Sequence, residues 1–227
     1  MENKIYSVLI IEDHPLISEA YKSAFNTYSK QNENISFAIE EANNCDSGFA
    51  LISDFSKRKK HLDIVFLDIK LPSSKDNKIL SGEDLGLKIN TLSPNTKVLI
   101  STMFNDNYRI HSIFKNLNPE GFLIKNDITS NDLLEAIHIL LNDSPYYSKS
   151  VIKLLRKEVT NDLLLDYLDR KILYELSIGT LMKDLPEVLP LSMAGIEKRK
   201  RHLKNIFNIK SGNDKELIFL AKDKGFI

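Results

Sequence analysis

Glu12 and Asp13 stand directly after the apolar run SVLII, and Asp68 directly after IVFL. Ser101 and Thr102 follow a third such run, VLI, and Lys125 follows a fourth, FLI. Three carboxylates held together repel one another and raise each other's pKa unless a cation intervenes. Mg²⁺ suits such a set, because it takes one or two carboxylates, backbone carbonyls and waters. An Asp in that setting can act as a nucleophile and form an acyl phosphate. A hydroxyl and a Lys beside it would hold phosphoryl oxygens as charge moves in the transition state. A single acidic residue after a strand is more often a helix cap or a loop residue. The chemistry is carried by four strand ends in order, each with the required residue type.

These groups meet only if the elements before them lie side by side. Residues 7–11, 35–39, 64–67, 98–100 and 122–124 read as five short, wholly apolar strands. Amphipathic patterns at about 15–28, 46–59, 83–92, 106–117 and 130–142 alternate with them. Such alternation predicts a parallel sheet with helices on both faces. Right-handed crossovers make it a doubly wound α/β domain, with the site outside the carboxyl ends of the strands.

The chain has 227 residues, enough for one large domain or two small ones. Its 31 basic and 31 acidic residues cancel. Residues 1–143 hold 15 basic and 20 acidic residues, whereas 144–227 hold 16 and 11, so the two parts are expected to meet different partners. One cysteine, Cys45, excludes an internal disulfide framework and a multi-cysteine zinc site. Apolar runs such as 137–141 fall far short of the roughly 20 residues that span a bilayer. The N-terminal run ends in Glu-Asp instead of a cleavage site, so it reads as a buried strand and the protein as cytoplasmic.

The second part reads as all-α. A turn at NDSP and a helical VIKLLRKEV form a linker over 143–164. Asp166 with Asp169 marks a helix start, and Gly179 its end. A short helix over about 181–189 contains Pro186, so it begins late or is kinked. Ser192 then caps a helix over 193–207. Ile196, Leu203, Ile206 and Phe207 share one face of that helix, and the stretch EKRKRHLK covers the others with five basic residues. A basic helix anchored in a core can enter the DNA major groove while Lys and Arg neutralise phosphates. The bland alternative is a solvated charged face.

Residues 5–142 resemble the receiver domain of two-component response regulators, on the pieces VLIIEDHP, DIVFLDIKLP, VLISTM and GFLIK. The resemblance implies a flavodoxin-like fold in which Asp68 is the phosphoacceptor. Glu12, Asp13, Asp68 and the backbone carbonyl of Lys70 are then the Mg²⁺ ligands. It implies that Lys125 pairs with the phosphoryl group, that Thr102 is the switch hydroxyl, with Ser101 as the alternative, and that Phe122 is the switch aromatic. Lys70 and Phe104 fall where the family tunes the lifetime of the acyl phosphate. The segment 73–81 (SSKDNKILS) is longer than is usual in the family and reads as a mobile loop beside the acceptor.

Residues 165–227 resemble the LuxR/NarL-type helix-turn-helix domain, a small four-helix unit. The resemblance implies that Lys198 and Arg201 read bases, with Arg199, Lys200, His202 and Lys204 as candidate phosphate or rim contacts. Glu197 and Gly195 depart from its pattern. Together the resemblances imply a receiver at 1–142, a linker at 143–164 and an output domain at 165–227. The expected function is a phosphorylation-controlled DNA-binding regulator of transcription. Its expected partners are a sensor histidine kinase or small phosphodonor, double-stranded DNA, and a second copy in an active homodimer. The receiver would catalyse only its own phosphorylation and dephosphorylation. A phosphorylation-dependent adaptor with a protein-binding helical domain is the alternative, and a Mg²⁺-dependent acyl-phosphate hydrolase a third reading.

Overall fold

The computed structural model describes residues 3–103, 107–142, 145–156, 165–209 and 214–227. Phe104 and the linker positions 143–144 and 157–164 lie outside the described residues. The strands β1 (Lys4–Ile11), β2 (Ile35–Ala42), β3 (Ile64–Asp68), β4 (Lys97–Thr102) and β5 (Gly121–Ile124) are those expected from the apolar runs. Val8 to Ile11 and Val65 to Leu67 are wholly buried, because helices cover both faces of the sheet. All strand pairs are parallel, in the order β2-β1-β3-β4-β5, with a sixth strand, β6 (Tyr146–Tyr147), beside β5.

The sixth strand departs from the expected five. β6 (Tyr146–Tyr147) pairs with β5 through Tyr146 N–H to the Glu120 carbonyl at 2.8 Å and Ser148 N–H to the Phe122 carbonyl at 3.0 Å. Two residues are too few to show a period. Their conformation follows from the open hydrogen bonds along the edge of β5.

One face of the sheet carries α1 (Pro15–Gln31) and α5 (Ser130–Asn142), packed on Val8, Ile10, Phe66, Leu99 and Leu123. The other face carries α2 (Cys45–Lys57), α3 (Gly82–Leu92) and α4 (Asn107–Leu117), packed on Leu9, Ile11, Val65, Leu67 and Ile100. Val151 and Leu154 of α6 (Lys149–Leu155) join that second core, so the helix expected in the linker docks on the α/β unit.

The remaining helices enclose a core of their own, centred on Ile172, Leu173, Leu185, Ile196, Leu203 and Leu217. α7 (Tyr167–Ser177) begins with the capping box of Asp166 and Asp169, and Gly179 follows its end at φ +96°. A 3₁₀ turn, Met182–Asp184, precedes α8 (Leu185–Val188). The helix therefore begins late and leaves Pro186 in its first turn, where no backbone donor is missed. The Ser192 hydroxyl accepts from Gly195 N–H and starts α9 (Met193–Ile206), and α10 (Asp214–Asp223) closes the unit.

The two units touch through buried charge. Glu83 and Asp84 at the start of α3, Arg109 of α4 and Arg170 of α7 are each at most 3% exposed. Arg109 Nη1 pairs with Glu83, and Arg170 reaches Asp84 at 2.8 Å and Glu83 at 3.5 Å.

Candidate functional site

β1, β3 and β5 end side by side and bring Glu12, Asp68 and Lys125 together. Lys125 Nζ donates to Asp68 Oδ2 at 2.7 Å and lies 2.6 Å from Glu12 Oε2. Asp68 Oδ1 accepts from Lys70 N–H at 3.0 Å. Burial pushes the Asp68 carboxyl up to about 6, with Glu12 adding repulsion and Lys125 opposing both. Asp13 stands at the rim.

His14 joins the cluster, although the sequence pointed to no role for it. Its ring Nδ1 lies 2.7 Å from Asp13 Oδ1 and 3.2 Å from Glu12 Oε1. Only its adjacency to the acidic pair was visible in the chain. Among the described residues, Glu12, Asp13, His14 and Asp68 present ligand atoms within 4.8 Å of one another, a group able to hold a metal ion. Glu12 Oε2 faces Lys125 Nζ and Asp13 Oδ1 faces the His14 ring, so a hard cation held by these carboxylates would share their oxygens with basic neighbours.

The register of β3 with β4 places Ser101 level with Asp68. The Ser101 hydroxyl is nevertheless engaged elsewhere, with Tyr21 Oη at 2.6 Å in a buried contact on the α1 side. Burial raises the Tyr21 phenol far above its usual value, so it stays a neutral partner. Thr102 is fully buried at the last position of β4, level with Ile124 and one residue short of Lys125. Phe122 is wholly buried and stacks on Phe114 with ring centroids 5.2 Å apart. Phe114 in turn meets Tyr147 of β6 edge-on at 5.0 Å, which ties the aromatic of β5 to the linker strand.

Gly82 begins α3 against the acceptor backbone. A Cβ there would lie 1.8 Å from the Asp68 carbonyl oxygen. Gly82→Ala is therefore expected to cost roughly 3 kcal/mol, the scale of forced overpacking. Chemical denaturation of the variant beside the parent chain checks this; equal midpoints would contradict the close approach.

On α9, Lys198 and Arg201 are exposed. The other three basic residues singled out in the sequence lie in ion pairs. Arg199 reaches Asp166 at 2.9 Å and Asp169 at 2.7 Å, bracing the α7 capping box. Lys200 and Lys204 reach Asp214 of α10 at 2.6 and 3.1 Å. An open groove of about 600 Å³ runs along this helix, lined by Lys200, Arg201, Lys204 and Glu197, and by Lys183 from the 3₁₀ turn. Lys183 is a lone basic residue outside the charged helix, and only the fold brings it to this groove.

Residues 8–138 match the family model described as the response regulator receiver domain. The chain belongs to the response regulator receiver family. Two curated proteins are similar to it over more than nine-tenths of their own length. The oxygen regulatory protein NreC of Staphylococcus epidermidis is 25% identical, covering 90% of this chain and 92% of that protein. The transcriptional regulatory protein MctR of Rhizobium johnstonii is 26% identical, covering 97% and 94%. Among solved structures, RcsB from Salmonella enterica serovar Typhimurium, bound to a promoter with a beryllofluoride phosphomimetic, superposes at a TM-score of 0.65. It is 20% identical and covers 95% of this chain and 98% of that one, a likeness of fold through both units. No helix among the described residues is long and apolar enough to cross a membrane.

Proposed function

We propose that this response regulator is a DNA-binding transcription regulator of a two-component system, switched by phosphorylation of Asp68. The observation that carries the reading is the Asp68 carboxylate. It is buried between Lys125 Nζ and Lys70 N–H, with two further carboxylates beside it. The full-length similarity to NreC and MctR supports an output that acts on transcription, and the RcsB complexes support DNA as its ligand.

A carboxylate oxygen of Asp68 attacks the phosphorus of a sensor kinase phosphohistidine or of a small phosphodonor. The bond to the donor's nitrogen or oxygen breaks, and the leaving group keeps its electron pair. Water later cleaves the acyl phosphate, returning the carboxylate and inorganic phosphate. The protein thus acts on itself and on no foreign substrate. Glu12, Asp13, Asp68 and the Lys70 carbonyl would hold Mg²⁺, which would supply charge neutralisation for the phosphoryl oxygens. Lys125 already contacts the acceptor oxygen and moves with it to the phosphoryl group. The engagement of Ser101 with Tyr21 favours Thr102 as the switch hydroxyl. Phe122 passes its shift to Phe114 and Tyr147.

The receiver spans 1–142, the linker 143–164 and the output domain 165–227. Lys198 and Arg201 reach base edges, and Lys183 with Lys200 and Lys204 faces phosphates. Arg199 acts through its pairing with Asp166 and Asp169, which fixes α9 against α7. The active form is a homodimer on paired half-sites, and the site of action is the cytoplasm.

Binding to fragmented genomic DNA with Mg²⁺, with and without beryllofluoride, tests the reading. A specific fragment, held more tightly with the mimic, is the expected result. Lys198→Ala and Arg201→Ala are each expected to weaken specific binding about tenfold or more. Arg199→Ala is expected instead to lower the stability of the helical unit. Glu197 in the basic groove favours one second reading, an adaptor whose helical unit binds protein. Absence of specific DNA in both conditions would bring that reading forward.

A further inference from the structure

The segment 73–81 is folded, contrary to the mobile loop expected from its composition. Its ends are tied together by Gly82 N–H to the Ile69 carbonyl at 3.0 Å, one residue past the acceptor. Within it, Ser74 N–H donates to the Ile79 carbonyl at 2.8 Å, and Ile79 N–H donates back to the Ser74 hydroxyl at 3.0 Å. Both residues are buried, at 3% and 4% exposure, so the segment is closed on itself. Its tip reaches the other domain. Asn77, at φ +53°, accepts at its carbonyl from Lys171 Nζ at 2.8 Å and at Oδ1 from Tyr174 Oη at 2.7 Å. A second contact runs through Asp84, whose Oδ2 accepts from Leu80 N–H and whose Oδ1 accepts from Arg170, each at 2.8 Å.

We propose that this segment is a strut coupling the acceptor directly to the output domain, with its foot at the Asp68 backbone and its head on α7. The inference rests on the reading of Asp68 as phosphoacceptor. It adds a route separate from Thr102 and Phe122, which lie on β4 and β5. When Asp68 is modified, its Oδ1 exchanges the Lys70 N–H for phosphoryl and metal contacts. The backbone from 69 to 71 adjusts, the closed segment tilts as a unit, and the Asn77 contacts on α7 are lost. Coupling of this kind needs a rigid element with two seatings, which the Ser74–Ile79 pairing supplies.

The test uses the full chain labelled with a fluorophore pair at Lys60→Cys and Lys222→Cys, both exposed positions. Cys45 stays unlabelled, because it is buried and its thiol is pushed up to about 12. The parent protein is compared with Asn77→Gly, which keeps the positive φ and the carbonyl, and with Tyr174→Phe. Interdomain distance and beryllofluoride affinity are measured with Mg²⁺. Each variant weakens the head contact, so α7 leaves more readily. By reciprocity, each is expected to bind beryllofluoride about threefold more tightly and to show a smaller change in distance. Parent-like affinity and distance change in both variants would overturn the strut while leaving the receiver reading intact. Failure of the parent to bind beryllofluoride would overturn both.

Discussion

Asp68→Asn protein is expected to take up no phosphoryl group from acetyl phosphate or a phosphorylated kinase, and to lose the response of DNA affinity to beryllofluoride. The amide has no nucleophilic carboxylate oxygen, and no other described carboxylate stands in its place between Lys125 and the Lys70 amide. Acid-labile phosphate on the variant at the parent's level would remove Asp68 from the mechanism. The same substitution carries a stability signature of known sign. Burial raises the Asp68 carboxyl to about 6 in the folded chain, above its unfolded value. Folded protein then holds the proton more tightly, and the metal-free parent loses stability as pH rises through about 4 to 6. Asn pays no such penalty. Asp68→Asn is therefore expected to be more stable than the parent at pH 7 without Mg²⁺, on the order of 2 kcal/mol. The difference should vanish near pH 4, and added Mg²⁺ should narrow it by binding the parent alone.

Glu83→Gln is expected to be the most destabilising conservative change between the two units. Glu83 is fully buried, pairs with Arg109 and Arg170, and accepts from Asn116 Nδ2 at 2.6 Å. Burial alone would push its carboxyl up, but the two guanidinium groups overcome that and hold it below the usual range. The amide leaves Arg109 and Arg170 to share Asp84, one buried positive charge in excess, at a cost of roughly 3–5 kcal/mol. Arg170→Met is expected to cost less. Its defect sits at the domain contact and is relieved when α7 leaves the receiver, so the loss cannot exceed the free energy of docking. Denaturant unfolding of the two variants checks the ranking, and equal losses would contradict it. Because the folded carboxyl of Glu83 is depressed, its contribution is present above the ordinary carboxylate range and is lost as pH falls through the folded value. Domain contact should accordingly loosen in acid, with light scattering or fluorescence transfer as the readout.

Much of the site was legible in the chain because its signals are local. A short apolar run that alternates with amphipathic helical patterns reads as a covered strand, and the residue after it then emerges at the sheet's carboxyl edge. That placed Glu12, Asp13, Asp68 and Lys125 before any coordinates. Residue spacing likewise exposed the core face of α9 and the cap at Ser192. Proline geometry left the start of α8 open, and the 3₁₀ turn at Met182–Asp184 resolved it.

Other features depended on partners distant in sequence. Ser101 and Thr102 differ by one step along β4, and the preference for Thr102 in the proposed mechanism rests on the contact of Ser101 with the Tyr21 hydroxyl on another element. Arg199, Lys200 and Lys204 read as one basic face with Lys198 and Arg201, until the acids of α7 and α10 divided them. The segment 73–81 has the composition of a loop, and its order comes from Ser74, Ile79 and the surface of α7.

The sequence by itself determined the chemical types at the strand ends, the two periodicities and the division into an α/β unit and a helical one. These follow from burial along single elements, which residue order records directly. Only the tertiary structure decided which charges meet, where β6 pairs, and what the inserted segment touches. Those outcomes depend on packing between elements separated by tens of residues, where the chain is silent about distance and a difference of one ångström separates an ion pair from two solvated side chains.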